Sequence, residues 1–277
     1  MCISSCSVVV GGARASSNDA TLLASGVREF TAAAKPSLTV GLLVWCLPSA
    51  AMTNQTTGGA EPALRIEGLT FRYPGARTWT LSVSALLLAR GEQMLLTGGS
   101  GSGKSTLLHV VAGLAEPASG KVIVAGREVH SLRGVARDRF RGRTIGMIFQ
   151  TFNLLMGFSA LENVMAAMMF STIPRKEHDG RAKELLRHLG IEEVNARVEA
   201  LSIGQQQRVA VARAVACDPV LVLADEPTAS LDPENADVVV ELIQRVCREK
   251  GAALLCVSHD PSMAERFVRR EELGKLT

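Results

Sequence analysis

Apolar and polar residues alternate from Leu64 to Phe71, the period of a half-buried β-strand. Tyr73-Pro74-Gly75 supplies a turn, and Leu81 to Leu88 reads as a second strand, so the two predict an antiparallel layer. Beyond them the pattern changes. Gln93 to Thr97 is a short strand, a glycine-rich loop follows, and a helix is expected from about Lys104 to Ala112, with Gly113 as its C-terminal glycine. Val122 to Val124 and Ile145 to Phe149 are further strands. Residues from about 151 to 200 look helical, including a charged amphipathic stretch from Arg175 to Leu189. Ser202 and Gln205 form an S-x-x-Q capping box at the head of a helix reaching about Ala216. Val220 to Ala224 is a continuous apolar run, as expected of a strand buried on both faces. A helix over 233–249 and a strand from Ala252 to Val257 follow. Strands alternating with helices predict an α/β fold with a mainly parallel core sheet beside the antiparallel β layer.

Residues 1–60 break this regularity. They are rich in Ser, Ala, Gly and Thr and show no sustained period. Leu38 to Leu47, ending in Pro48-Ser49-Ala50, has some signal-peptide character, but the segment before it is too long for a normal n-region. The expectation is a disordered extension or a mis-set start, with Met52 as the true one. The 277-residue chain has ample material for a core, and a net charge of +3 lacks the basic footprint of a nucleic-acid binder. Eight Phe, two Trp and one Tyr make no stacking platform for single strands. Six cysteines, at 2, 6, 46, 217, 247 and 256, show no zinc-like spacing and fit a reducing, cytosolic compartment. The apolar run from Leu42 to Leu47 falls well short of the roughly 20 residues a membrane helix needs. Work at a membrane would therefore go through a partner.

Gly98-Gly99-Ser100-Gly101-Ser102-Gly103-Lys104-Ser105 fits G-x-x-x-x-G-K-[ST], with a strand before it and a helix, starting with Thr106 in its first turn, after it. Its glycines let backbone N–H groups turn toward phosphate oxygens, and the helix N-terminus adds a favourable dipole. Lys104 is placed to reach the β- and γ-phosphates and Ser105 to offer its hydroxyl to Mg²⁺. The run from Val220 ends in Asp225-Glu226, and two carboxylates at a buried strand end are costly unless they meet a cation or a polarised water. Asp225 suits the metal shell and Glu226 the general base. The next strand ends in Ser258-His259-Asp260. Ligands of parallel α/β sheets bind beyond the carboxyl ends of the strands, so these residues are expected to converge.

The stretch Leu201-Ser202-Ile203-Gly204-Gln205 resembles the signature of ABC ATPases, and residues from about 62 to 277 are similar to their nucleotide-binding domain. Gln150 resembles the Q-loop glutamine, Ser230-Leu231-Asp232 the D-loop, His259 the switch histidine and Tyr73 the aromatic that stacks on adenine. The resemblance implies a P-loop NTPase fold with a helical subdomain over about 151–208. It implies catalysis by Glu226, His259 and Gln150, with Mg²⁺ held by Ser105, Gln150 and Asp225. It also implies head-to-tail dimers, each ATP lying between one phosphate loop and the partner's signature, so that Ser202, Gly204 and Gln205 meet nucleotide across the interface, with Asp232 of the D-loop as a further nucleotide-binding residue. A homodimer or sister ATPase subunit, an integral membrane permease and a cytoplasmic place at the inner face of the cell membrane are the expected partners and location. Gln150 to Leu155 and the short C-terminus resemble the lipoprotein-release and macrolide-export group. A regulatory ATPase acting on a membrane partner in cell-wall remodelling is the alternative. Ile203 stands where the family usually has glycine; a β-branched residue disfavours positive φ, so this position is expected at negative φ. Arg133, Arg137, Arg139, Arg141 and Arg143 are expected to form a solvated helix face. The run Met165 to Phe170 is expected either to enter the core or to receive helices of a membrane subunit.

Overall fold

The computed structural model describes residues 61–76, 78–229, 231 and 233–276, without the side chains of 233–235. The expectations for the N-terminal 60 residues, and for Ser230 and Asp232, lie outside the described residues.

Strands β1 (Leu64–Phe71) and β2 (Leu81–Leu88) pair antiparallel, with Leu64 opposite Leu88. β3 (Gln93–Thr97) leads through the glycine loop into α1 (Lys104–Val111). β4 (Ser119–Val124) and the short β5 (Arg127–Glu128) complete a four-stranded antiparallel sheet in the order β2-β1-β4-β5. α2 (Val135–Thr144), β6 (Ile145–Ile148), α3 (Ala160–Met168), α4 (Arg175–His188) and α5 (Ile203–Val215) follow. The chain then runs through β7 (Leu221–Asp225), α6 (Pro233–Lys250), β8 (Ala253–Ser258) and β9 (Arg269–Glu272). The second sheet, β6-β7-β8-β3-β9, is parallel throughout.

That parallel sheet is buried on both faces, which explains its unbroken apolar runs. Side chains alternate across a strand. In β7, Leu221 and Leu223 enter one core with α1, β1, β2 and β4, while Val222 and Ala224 enter the other with α3 to α6. Met94 and Leu96 of β3 likewise face the first core and Leu95 the second. The chain end links the sheets: Ser84 donates to the Leu276 carbonyl through N–H (2.6 Å) and hydroxyl (2.8 Å).

Two surface expectations change. The arginine cluster is not a uniformly solvated face. Arg137 is largely buried, donating to the carbonyls of Leu132 (2.8 Å) and Gly113 (3.4 Å) and to the Glu116 carboxylate. Arg141 reaches Asp138 (2.6 Å), and both arginines serve the carbonyl-rich end of α1. Burial pushes the Glu116 carboxyl up, but bonds from Arg137 and His130 outweigh it and leave it below its ordinary value. Arg133, Arg139 and Arg143 are exposed. The methionine run divides: Met168 is core, whereas Met169 and Phe170 are exposed.

One close approach fixes how β6 sits under α5. A Cβ on Gly146 would lie 2.2 Å from the carbonyl oxygen of Ala214, which is backbone and cannot swing aside. Gly146→Ala is expected to destabilise the protein by about 1–3 kcal/mol, read by denaturant unfolding. Gly180, inside α4 with open space around it, gives the opposite sign: Gly180→Ala is expected to stabilise by about 0.5–1 kcal/mol.

Candidate nucleotide site

The ends of β3, β7 and β8 lie side by side, and the loops leaving them enclose a cavity of about 480 Å³. Tyr73, Thr80, Ser100 to Thr106, Gln150, Glu226 and His259 line it. The structure thus brings together residues distributed over almost 190 positions, as the strand-end argument expects.

The glycine loop adopts the conformation its composition allows. Gly101 and Gly103 have positive φ, and Gly103 (96°) is the N-cap of α1. A Cβ on Gly103 would stand 2.8 Å from the Thr80 carbonyl, so glycine is needed there for both conformation and space. Lys104 is nearly buried. Its ammonium donates to the carbonyls of Gly98 (2.9 Å) and Gly99 (3.0 Å) and lies 3.9 Å from Glu226. These are neutral acceptors that an entering anion can replace.

The Ser105 hydroxyl donates to Asp225 Oδ1 at 2.9 Å. Burial raises the Asp225 carboxyl above the usual carboxylate range; the Ser105 bond lowers it, and the neighbouring Glu226 raises it again. Glu226 takes the left-handed region (φ 43°) and sits 2.8 Å from His259 Nδ1 through its Oε2. The Tyr73 ring meets Phe71 edge-on at 4.9 Å between centroids, and its hydroxyl lies 3.0 Å from the Thr106 hydroxyl. Hairpin packing and exposure to the cavity therefore coexist at Tyr73, which is 49% exposed.

Ser202, Gly204 and Gln205 do not line this cavity. They open α5 at the surface, where the capping box forms: Gln205 N–H donates to the Ser202 hydroxyl (3.2 Å) and Ser202 N–H to Gln205 Oε1 (2.9 Å). Ile203 is the first helical residue and is exposed, and it is not among the residues with positive φ, so the missing glycine does not strain the turn.

Three contributors escaped the sequence reading. Thr80 lines the cavity, its carbonyl stands against Gly103, and it carries no pattern signal. Gln207 is buried, donating to the Pro227 carbonyl at 2.9 Å, and a glutamine on the apolar face of α5 was the available sign. Arg213 binds the loop after Gln150 from the far end of α5.

A phosphate-binding loop, an acid pair at a strand end and an adjacent histidine on a parallel sheet define a P-loop nucleotide hydrolase. The ABC transporter family model matches residues 81–229. An uncharacterized ABC transporter ATP-binding protein of Thermotoga maritima is 45% identical over 176 residues, 63% of this chain and 75% of that protein. Among solved structures, the dimeric post-hydrolysis ATP-binding cassette MJ0796 bound to ADP and Pi is similar with a TM-score of 0.67 and 33% identity, over 76% of this chain and 93% of that one. The cassette cbiO1 of Clostridium perfringens, part of the ABC transporter complex cbiONQ, gives 0.64 and 29%, over 72% and 79%. The chain belongs to the ABC transporter family, as an ATP-binding, ATP-hydrolysing domain.

The raised carboxyl of Asp225 has a stability consequence. A group whose folded-state pKa is raised destabilises the fold while ionised; the penalty is full above the raised value and disappears below the unfolded value near 3.8. Asp225→Asn is therefore expected to raise the melting temperature of nucleotide-free protein at about pH 7, with the difference shrinking toward about pH 4, in melts across a pH series.

Proposed function

We propose that this chain is the ATP-binding subunit of an ABC transporter, in which ATP-driven dimerisation and hydrolysis drive a separate membrane permease. One observation carries the reading. The phosphate loop, Glu226 and His259 share one cavity, with Asp225 bonded to the cavity-lining Ser105, while the capped helix start at Ser202 stands exposed away from it. A second copy, or a sister subunit, would supply that helix start to complete the site.

In this reading Gly98 to Thr106 cradle the phosphates, with Lys104 exchanging its two carbonyls for phosphate oxygens. Tyr73 meets the adenine. Glu226 takes the proton of the attacking water, His259 holds the Glu226 carboxylate, and Gln150 acts from the lining of the same cavity. Ser202, Gly204 and Gln205 meet the partner's nucleotide. The donor set fits Mg²⁺: a hydroxyl and an incompletely compensated carboxylate converge at Ser105 and Asp225, with Gln150 on the cavity wall, and Mg²⁺ usually takes few protein oxygens beside substrate phosphates. When bound, the ion would neutralise charge on the phosphates.

We read residues 61–277 as the ATPase domain, with its helical part over about 151–208, and residues 1–60 as an extension outside it. Among the described residues no helix is long and apolar enough to cross a membrane; work through permease subunits at the inner face of the membrane is part of this reading. The run Gln150 to Leu155 supports the lipoprotein-release and macrolide-export group.

Glu226→Gln is expected to lower ATP hydrolysis by about 10²–10⁴-fold while ATP still produces a dimer in size-exclusion chromatography with light scattering. The same variant, used as bait on solubilised membranes, is expected to retain a permease; recovery of only soluble or nucleic-acid partners would defeat the transporter reading. Lys104→Ala is expected to abolish the ATP-dependent dimer.

A further inference from the structure

The role of α5 extends past its capped start. Arg213, in its last turn, crosses to the loop after β6, where Nη1 donates to the Asn153 carbonyl and Nη2 to the Phe152 carbonyl, each at 2.6 Å. Phe152 and Asn153 are consecutive left-handed residues, with φ of 59° and 47°. Asparagine tolerates that region, but phenylalanine does not favour it, and such backbone persists only where its surroundings hold it. A planar guanidinium presents forked donors that two convergent carbonyls can share. Burial lowers the Arg213 guanidinium from its ordinary value, so the two carbonyls take the place of water it has lost.

Gln150 lies two residues before this pair. Its side chain hydrogen-bonds no described residue, so its place at the cavity wall follows the backbone that carries it. The other side of the site is tied to the same helix. Gln207 donates to the carbonyl of Pro227, the residue after Glu226. One helix thus grips the loops leaving both β6 and β7.

We propose that Arg213 is a positioning residue for ATP hydrolysis: its two bonds hold the loop in its left-handed form and make the position of Gln150 depend on α5, the helix that begins at Ser202. This rests on the role given to Gln150 above.

The test is steady-state ATPase kinetics of the full chain. Arg213→Lys keeps the charge and stem but loses the fork. It is expected to lower kcat by about tenfold or more while KM for ATP moves less than about threefold and the melting temperature stays near wild type. Adding Phe152→Gly and Asn153→Gly to that variant is expected to recover several-fold of the lost kcat, because glycine takes positive φ without help. If Arg213→Lys does not fold, Asn153→Val supplies the same readout at an exposed position, since a β-branched residue resists positive φ with Arg213 intact. A kcat unchanged in both Arg213→Lys and Asn153→Val, or a loss that the glycines do not relieve, would overturn the clamp. Glu226→Gln keeps the two readings apart. A wild-type rate no higher than that variant's would overturn the hydrolysis assignment, whereas a clear wild-type rate with both Arg213→Lys and Asn153→Val unaffected overturns only the clamp.

Discussion

The desolvated carboxylate of Asp225 is the constraint around which the nucleotide site is arranged. β7 is buried along its whole length, so its last residue cannot be solvated as a surface acid is. The effective cost of an unpaired buried charge is several kcal/mol, whereas one hydrogen bond to a charged group returns about 1.5–3 kcal/mol. The Ser105 hydroxyl is the only hydrogen-bond donor to Asp225 among the described residues, and its contribution falls short of that cost. Lys104, the nearby cation, is occupied by two loop carbonyls and leans toward Glu226. Among the described residues the Asp225 charge is therefore only partly compensated, which keeps its carboxyl above the usual range.

The strand stops being a strand at Glu226, the residue after Asp225. Adjacent residues in extended chain point to opposite faces, which would aim Asp225 and Glu226 apart. A left-handed turn at Glu226 breaks the alternation, at a cost of about 1–3 kcal/mol for a residue with a side chain. Its N–H remains bonded to the Val257 carbonyl at 3.0 Å, so the turn is pinned to β8, the strand that leads to His259. The same step that spends conformational energy thus sets Glu226 2.8 Å from the imidazole. The two sheet faces then have to be covered, and the division of β7 between two cores shows how that burial is met by α1 on one side and α3 to α6 on the other.

What could be read from sequence follows from the range of the forces involved. β3, α1, β7 and β8 carry their own signals, because a strand buried on both faces must be apolar throughout and a phosphate loop needs glycines at fixed spacing. β5 and β9 carry none. Arg127–Glu128 and Arg269–Glu272 are charged edge strands, formed because a neighbour offers unpaired backbone and protected from further pairing by their charge. The arginines of α2 show the same limit: a cluster of charge reads as solvated until the fold sets Arg137 against the end of α1. Gln207 and Arg213 reach partners 20 and 61 residues away, so only tertiary structure reveals what they hold. Tyr73 was legible, yet its contacts with Phe71 and Thr106 were not, and they make the ring part of the hairpin as well as of the cavity.

The capping box at Ser202 and a binding role at the same helix start are compatible by hydrogen-bond arithmetic. The first turn of a helix leaves N–H groups without helical partners. Here the box uses the N–H groups of Ser202 and Gln205, and Gln206 N–H already bonds back to the Ser202 carbonyl at 2.8 Å. The N–H groups of Ile203 and Gly204 remain, exposed, at the positive end of α5. Ile203 can hold its place because a first helical residue needs negative φ, which suits a β-branched side chain, and because its side chain points into solvent space rather than the core. The residue that departs from the family's glycine therefore leaves the backbone donors intact, and what it changes is the bulk presented to whatever docks on that helix start.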